Sequence, residues 1–167
     1  MDATPDAKID LIMCDLSSLQ SVQAAAKEYK DKHCYLLCCG TCIMLRPLHA
    51  LVLNAGVFAP SQKATIDGLE TCFGVNHVAH MYLIRELLPL LRQSTPSRIV
   101  IVSSTSHNHT GVSGKYWESC WDDEKHLHSE IAHDEKLQDA LWIRTDELLD
   151  KYEASRIPIK TVSDSDT

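Results

Sequence analysis

The chain has 167 residues, enough for one domain with a real core, and its 44% hydrophobic and 23% charged content is that of a soluble globular protein. No apolar run reaches the ~18 residues of a membrane span, and the start Met1-Asp2-Ala3-Thr4-Pro5-Asp6 has neither the basic nor the apolar part of a secretory signal. The formal charge of -7 lies wholly in residues 122–167, because residues 1–121 hold ten acids and ten bases. This places a composition boundary near 121 and argues against nucleic-acid binding by the tail. Seven cysteines without a secretory signal read as reduced thiols in a cytoplasmic protein.

Ile9 to Cys14 reads as a short strand ending at Asp15-Leu16. Ser17 and Gln20 have capping-box spacing, and Leu19, Val22, Ala26 and Tyr29 fall at helical intervals. An amphipathic helix from Ser18 to about Asp31 follows. Residues 33–45 hold four of the seven cysteines, including Cys39-Gly40-Thr41-Cys42. A zinc site of the usual kind wants a second such pair and none follows, so the segment reads as an inserted apolar loop. Metal or redox chemistry there is the minor alternative.

Leu48 to Val57 then combines an apolar run with Asn54-Ala55-Gly56. A buried strand that ends in small residues lets a ligand lie against its backbone. After a loop from Phe58 to Lys63, Thr65 opens a helical pattern in which Leu69, Phe73, Asn76, His80, Leu83 and Leu87 lie near one face. Asn76 is either a satisfied structural amide or part of a site. Pro89 should bend or loosen the last turns. Arg98 to Ser104 is a third strand, and its unbroken β-branched run predicts burial on both faces, as in a parallel sheet. Asp15, Asn54 and Ser103-Ser104 would then leave the sheet at one carboxyl edge, where open α/β sheets bind ligands. Asp134 to about Ala154 is a further helix, with Leu137, Leu141, Leu148 and Tyr152 in register, and residues 163–167 read as disordered.

Asp15-Leu16, Asn54-Ala55-Gly56, Asn76-His77 and Val102-Ser103-Ser104, in that order and at these spacings, resemble the short-chain dehydrogenases/reductases. The resemblance covers about residues 9–32 and 46–110. It implies an α/β fold, here a partial Rossmann-type doubly wound parallel sheet, over residues 1–121 with an insert near 33–45. Residues 122–167 would be a divergent acidic tail. The cofactor it implies is NADP or NAD, and the substrate a small-molecule alcohol or ketone of retinoid or steroid kind. Asp15 and Leu16 would lie near the adenine, and Asn54, Ala55 and Gly56 would line the cofactor cleft. Ser104 would hydrogen-bond the substrate oxygen, and Asn76 would hold a water of the proton relay. The sequence departs from the family in two places. The family's glycine-rich phosphate loop, expected before Ile9, is absent from the 167 residues, and no Tyr-x-x-x-Lys follows Ser104. Tyr116 is followed at that spacing by Cys120, Lys125 is preceded by Trp121, and Tyr152 is followed by Arg156. The expectation is therefore a truncated and inactive form of an oxidoreductase. The alternative is a non-enzymatic interaction protein that docks a partner through its acidic amphipathic tail.

Overall fold

The computed structural model describes residues 9–36, 42–44, 46–58, 60–103 and 129–155. It divides into two compact units, one running through Val102 and the other beginning at Ser103.

In the first unit, helix α1 spans Leu19–His33 and buries Leu19, Val22, Ala25 and Ala26. The sequence expectation for this helix holds to within a turn, but its cap differs. The Ser18 hydroxyl accepts from the Ser21 amide at 3.3 Å, so Ser18 does the capping expected of Ser17. A second acceptor comes from far along the chain, where the Asp67 carboxylate accepts from the Leu19 amide at 2.8 Å. Helix ends leave amides that need such partners.

Helix α2 is the short Thr71–Phe73, a π-helical turn covers Gly74–Val78, and α3 runs Ala79–Gln93. The helical pattern was expected to open at Thr65. Instead the Thr65 carbonyl accepts from the Gly68 amide in a tight turn, with Gly68 at φ 77, and Ala64 pairs with Glu70. Only after that turn does Glu70 cap the helix, its carboxylate accepting from the Cys72 and Phe73 amides at 2.9 and 2.7 Å. The wide π turn also breaks the expected stripe. An extra residue in one turn rotates the face, so Phe73 and Asn76 are exposed while His80 and Leu87 are buried. Pro89 does not end α3, which continues to Gln93.

Helices α1 and α3 pack against each other. Gln23 donates to the Tyr82 hydroxyl at 2.9 Å, and Lys30 pairs with Glu86 at 2.6 Å. Ala26, Leu87, Leu90, Leu91 and Leu48 form one buried cluster, with Tyr29, Leu51 and Leu83 against it. The end of α3 is tied to the chain that enters the sheet. The buried Ser94 hydroxyl accepts from the Leu48 amide at 2.8 Å and donates to the Leu90 carbonyl at 2.6 Å.

Strands β1 (Cys34–Leu36) and β2 (Cys42–Met44) form an antiparallel hairpin inside the segment read as a loop, with Tyr35 opposite Ile43. Strand β3 (Ala50–Leu53) pairs in parallel with β4 (Arg98–Ile101), Leu53 opposite Ile101. The β3–helix–β4 order with a parallel pair is a partial Rossmann-like α/β arrangement.

Two expectations about the sheet need correction. Residues 9–14 form no strand, and Ile9, Leu11 and Met13 are 87%, 80% and 79% exposed. An apolar run becomes a strand only where a neighbour offers its ladder groups, and among the described residues none pairs with this one. Strand β4 is not buried on both faces, since each of its residues is exposed. Double burial needs a layer on either side, and among the described residues none covers both faces of the β3–β4 pair.

In the second unit, α4 covers Ser129–Ala132 and α5 covers Glu135–Ser155. The Asp134 carboxylate accepts from the Leu137 amide at 3.1 Å and so caps α5. Its buried residues are Thr145 and Leu149, one turn apart, and Leu137 of the expected stripe is exposed.

Candidate functional site

The carboxyl end of β3 is the natural place to look for a site. The Val102 amide donates to the Leu53 carbonyl at 2.9 Å, so the ladder runs to the last residue of β3. Asn54, Ala55 and Gly56 emerge just beyond and are all exposed. Small side chains at such an edge leave the backbone open to a flat ligand.

The π turn reaches this loop through one side chain. Asn76 Oδ1 accepts from the Val57 amide at 2.8 Å, and Asn76 Nδ2 donates to the Val57 carbonyl at 2.9 Å. The carboxamide thus completes both backbone groups of a single residue, as a strand neighbour would. Gly56 fits beneath it, because a Cβ there would lie 3.3 Å from Asn76 Oδ1 and 3.7 Å from its Cγ. π turns concentrate at functional sites, and this one aims its central side chain at the loop after β3. Of the residues singled out in the sequence, Gly56 and Asn76 are brought together. Sequence reasoning missed that the partner of Asn76 is the Val57 backbone. The turn signal Asp67-Gly68 is the feature that could have moved the helix start and exposed the phase change.

Two histidines follow, His77 on the π turn and His80 at the start of α3. The His77 ring packs on Phe73 with centroids 5.1 Å apart. Burial pushes the His77 imidazole below the ordinary histidine value, and the neighbouring His80 adds to this. Burial also lowers His80, opposed by the Asn76 carbonyl one turn back. His80 Nδ1 is buried, and no hydrogen-bond partner meets it among the described residues.

Asp15 and Leu16 lie at the start of α1. Asp15 Oδ1 accepts from the Ser17 hydroxyl at 2.8 Å and from its amide at 2.9 Å. These two bonds, the hydroxyl's first, hold the exposed carboxyl below its usual range. The Asp15 amide donates to Ser21 Oγ at 2.9 Å. Leu16 is half-buried. Ser104 lies outside the described residues, and Ser103 before it is exposed.

The fit to a nicotinamide nucleotide divides into two parts. The edge at Asn54-Ala55-Gly56 is open and uncharged, which suits a ring. A pyrophosphate needs a glycine turn leading into a helix N-terminus. Among the described glycines, Gly56 faces Asn76, Gly68 sits in the turn before α2, and Gly74 packs on Thr65 and Leu69. None of these is a phosphate cradle. Among the described residues no group of three or more His, Cys, Asp or Glu could hold a metal, and no helix is long and apolar enough to cross a membrane.

Residues 1–117 match the family model for short chain dehydrogenase. The chain is 44% identical over 106 residues to the WW domain-containing oxidoreductase of Gallus gallus, covering 64% of this chain and 23% of that protein. It is 34% identical over 110 residues to the polyprenol dehydrogenase of Homo sapiens, covering 64% of this chain and 30% of that one. It is 33% identical over 164 residues to retinol dehydrogenase 14 of Mus musculus, covering 94% of this chain and 42% of that one. The chain thus spans well under half the length of these relatives. A solved structure of an uncharacterized Mycobacterium paratuberculosis protein superposes on 84% of this chain and 44% of its own at 26% identity, with a TM-score of 0.41, too slight a likeness to build on.

Proposed function

Because the chain belongs to the short-chain dehydrogenases, we propose that residues 1–121 carry part of an oxidoreductase site for a small alcohol or ketone of retinoid or steroid kind, and that this part alone does not turn over. The observation that supports the reading best is the Asn76 amide clamped on Val57 at the carboxyl end of β3. That clamp fixes the loop against which a nicotinamide ring of NADP or NAD would lie. Asn54, Ala55 and Gly56 would line that cleft, and Asp15 and Leu16 would stand near the adenine.

In this reading Ser104 would offer its hydroxyl to the substrate oxygen, where charge develops as hydride is transferred. Asn76 would hold the loop through its carboxamide and contribute to a water relay. Neither residue can replace a proton donor of tuned acidity, and the Tyr-x-x-x-Lys pair that supplies one in the family has no counterpart after Ser104 in this sequence. With the pyrophosphate cradle also missing from the described residues, no catalytic step through the cofactor follows from this chain alone. The acidic residues 122–167 stand outside this site in the proposal.

The test is NADPH oxidation by the purified chain with retinal or a steroid ketone. No turnover above a protein-free blank is expected. Turnover that Ser104→Ala abolishes would overturn the proposal.

A further inference from the structure

The loop after β3 is fastened by one side chain, and the residue that carries it sits beside a buried ring. Asn76 and His80 are four apart, so they are neighbours on one face of the helix that runs through the π turn into α3. Asn76 is exposed and engages both backbone groups of Val57 through its carboxamide, at 2.8 and 2.9 Å. His80 is only 6% exposed, and its Nδ1 meets no hydrogen-bond partner among the described residues. The group that favours a charge on this ring is the Asn76 backbone carbonyl. One residue thus holds the loop with its side chain and faces His80 with its carbonyl.

A neutral imidazole can leave Nδ1 without a proton, and a bare ring nitrogen in a buried place costs far less than a buried charge. A second proton makes both ring nitrogens donors and puts a cation where no counter-ion stands. Of the ionisable groups on the neighbouring elements, Asp67 is held at the Leu19 amide and Glu70 at the Cys72 and Phe73 amides. Lys30 is paired with Glu86, and Glu28 with Lys32. None of these acts on the His80 ring, and His77 is itself disfavoured as a cation by His80. A charged ring is therefore satisfied by the Asn76 carbonyl and by water, and both act on the same turn. On its packed side that turn has no slack, since a Cβ at Gly74 would lie 2.8 Å from the Thr65 side chain and 3.2 Å from that of Leu69. The side left to yield is the exposed one, where Asn76 meets Val57.

We propose that the π turn Gly74–Val78 is an acid-released latch: a proton taken up by His80 draws the Asn76 carbonyl and water toward the ring, and the Asn76 carboxamide lets go of Val57. Asn54, Ala55 and Gly56 are then freed at the carboxyl end of β3. The latch goes beyond the functional reading above, because it concerns how the loop is held and not what the loop binds. Burial keeps the ring of the closed turn below 6.5, and opening to water returns it to that value. The closed form is therefore fully favoured above pH 6.5 and loses ground as the pH falls below it.

The experiment is amide hydrogen exchange read by NMR on the full 167-residue chain, from about pH 7.5 to about pH 5.5, with each rate divided by that of an unstructured amide at the same pH. Protection of the Val57 amide should fall by up to about tenfold across that range, which is the ratio of charged to neutral imidazole one unit below its ordinary value. Amides within α1 should keep theirs. His80→Gln, neutral throughout, should hold the Val57 protection level, whereas His77→Gln should leave the fall in place. Where His80→Gln does not fold, which lost protection in α1 would show, the unaltered chain decides through the ring signals of His80. They must be those of a neutral ring at about pH 6.5, where an unburied histidine is half charged. A half-charged ring at that pH overturns the proposal. So does Val57 protection that stays within about twofold across the range, a fall that His77→Gln abolishes, or a parallel fall throughout α1, which would be unfolding. No cofactor enters this readout, so its failure leaves the functional reading standing, and turnover by the chain defeats that reading without touching the latch.

Discussion

The helical layer and the sheet of the first unit are built from similar apolar residues and end in opposite conditions. Between α1 and α3, Val22, Ala26, Val78, Ala79 and Tyr82 are wholly covered, and two polar pairs tie the helices. In the sheet, Val52, Val100, Ile101 and Val102 remain exposed. A helix satisfies its own backbone and needs only one apolar partner. A strand needs a neighbour on each edge and a layer on each face before its apolar residues are covered. The helical layer therefore covers its apolar residues, while those of the two described strands stay largely open to solvent.

Substitution in the two regions should separate them most sharply. Leu87→Ala, within the buried cluster, should cost about 2–5 kcal/mol. Ile101→Ala, at 61% exposure, should stay within about 0.5 kcal/mol. Urea unfolding followed by circular dichroism reads both, and equal costs would erase the contrast.

The junction between the regions comes next. Ser94→Ala leaves the buried Leu48 amide without its acceptor and should cost about 1–3 kcal/mol, read in the same titration. Asn76→Ala removes both bonds to Val57 at a more exposed place, where water replaces part of the loss. A cost of about 1 kcal/mol is expected, with faster exchange of the Val57 amide and unchanged exchange within α1.

The smallest effects are those of pH. His77 and His80 are held below the ordinary value of 6.5 by burial. The unfolded chain then binds protons first, so their contribution to stability is whole above pH 6.5 and is lost as pH falls below it. A variant with His77→Gln and His80→Gln should lose that slope in thermal unfolding. Glu70, held below 4.5 by the Phe73 and Cys72 amides, contributes above 4.5 and loses that contribution as pH falls through its lowered value. Glu70→Gln should flatten the curve only in that acid range.

Much of the helical structure of each unit was legible in the sequence, because helix periodicity is local. Leu19, Val22 and Ala26 announce α1, and Asp134 to about Ala154 announces α5, since the partners they need lie within a turn or two. Strands β3 and β4 were legible as apolar runs, and their parallel pairing from the helix between them. What failed depends on distant residues. The run 9–14 has the composition of a strand and, among the described residues, no neighbour to pair with. The Asp67 carboxylate caps α1 from 48 residues away. The π turn at Gly74–Val78 shifts the phase of a stripe that looked continuous. At the site, Ala55 and Gly56 were read from their small size, Asn54 from its hydrogen-bonding amide, and the site role of Asn76 from the family resemblance, its spacing alone favouring a structural amide. That Asn76 meets Val57 could not be read, because nothing in the spacing says which backbone an amide will complete.

The edge at Asn54-Ala55-Gly56 is proposed as the ring-binding half of a dinucleotide site, and none of the described glycines forms a pyrophosphate cradle. Titration of the purified chain with NADPH, followed by the fluorescence of the dihydronicotinamide ring, tests it directly. A response that does not saturate is expected. Saturable binding in the micromolar range, weakened by Gly56→Val, would contradict it.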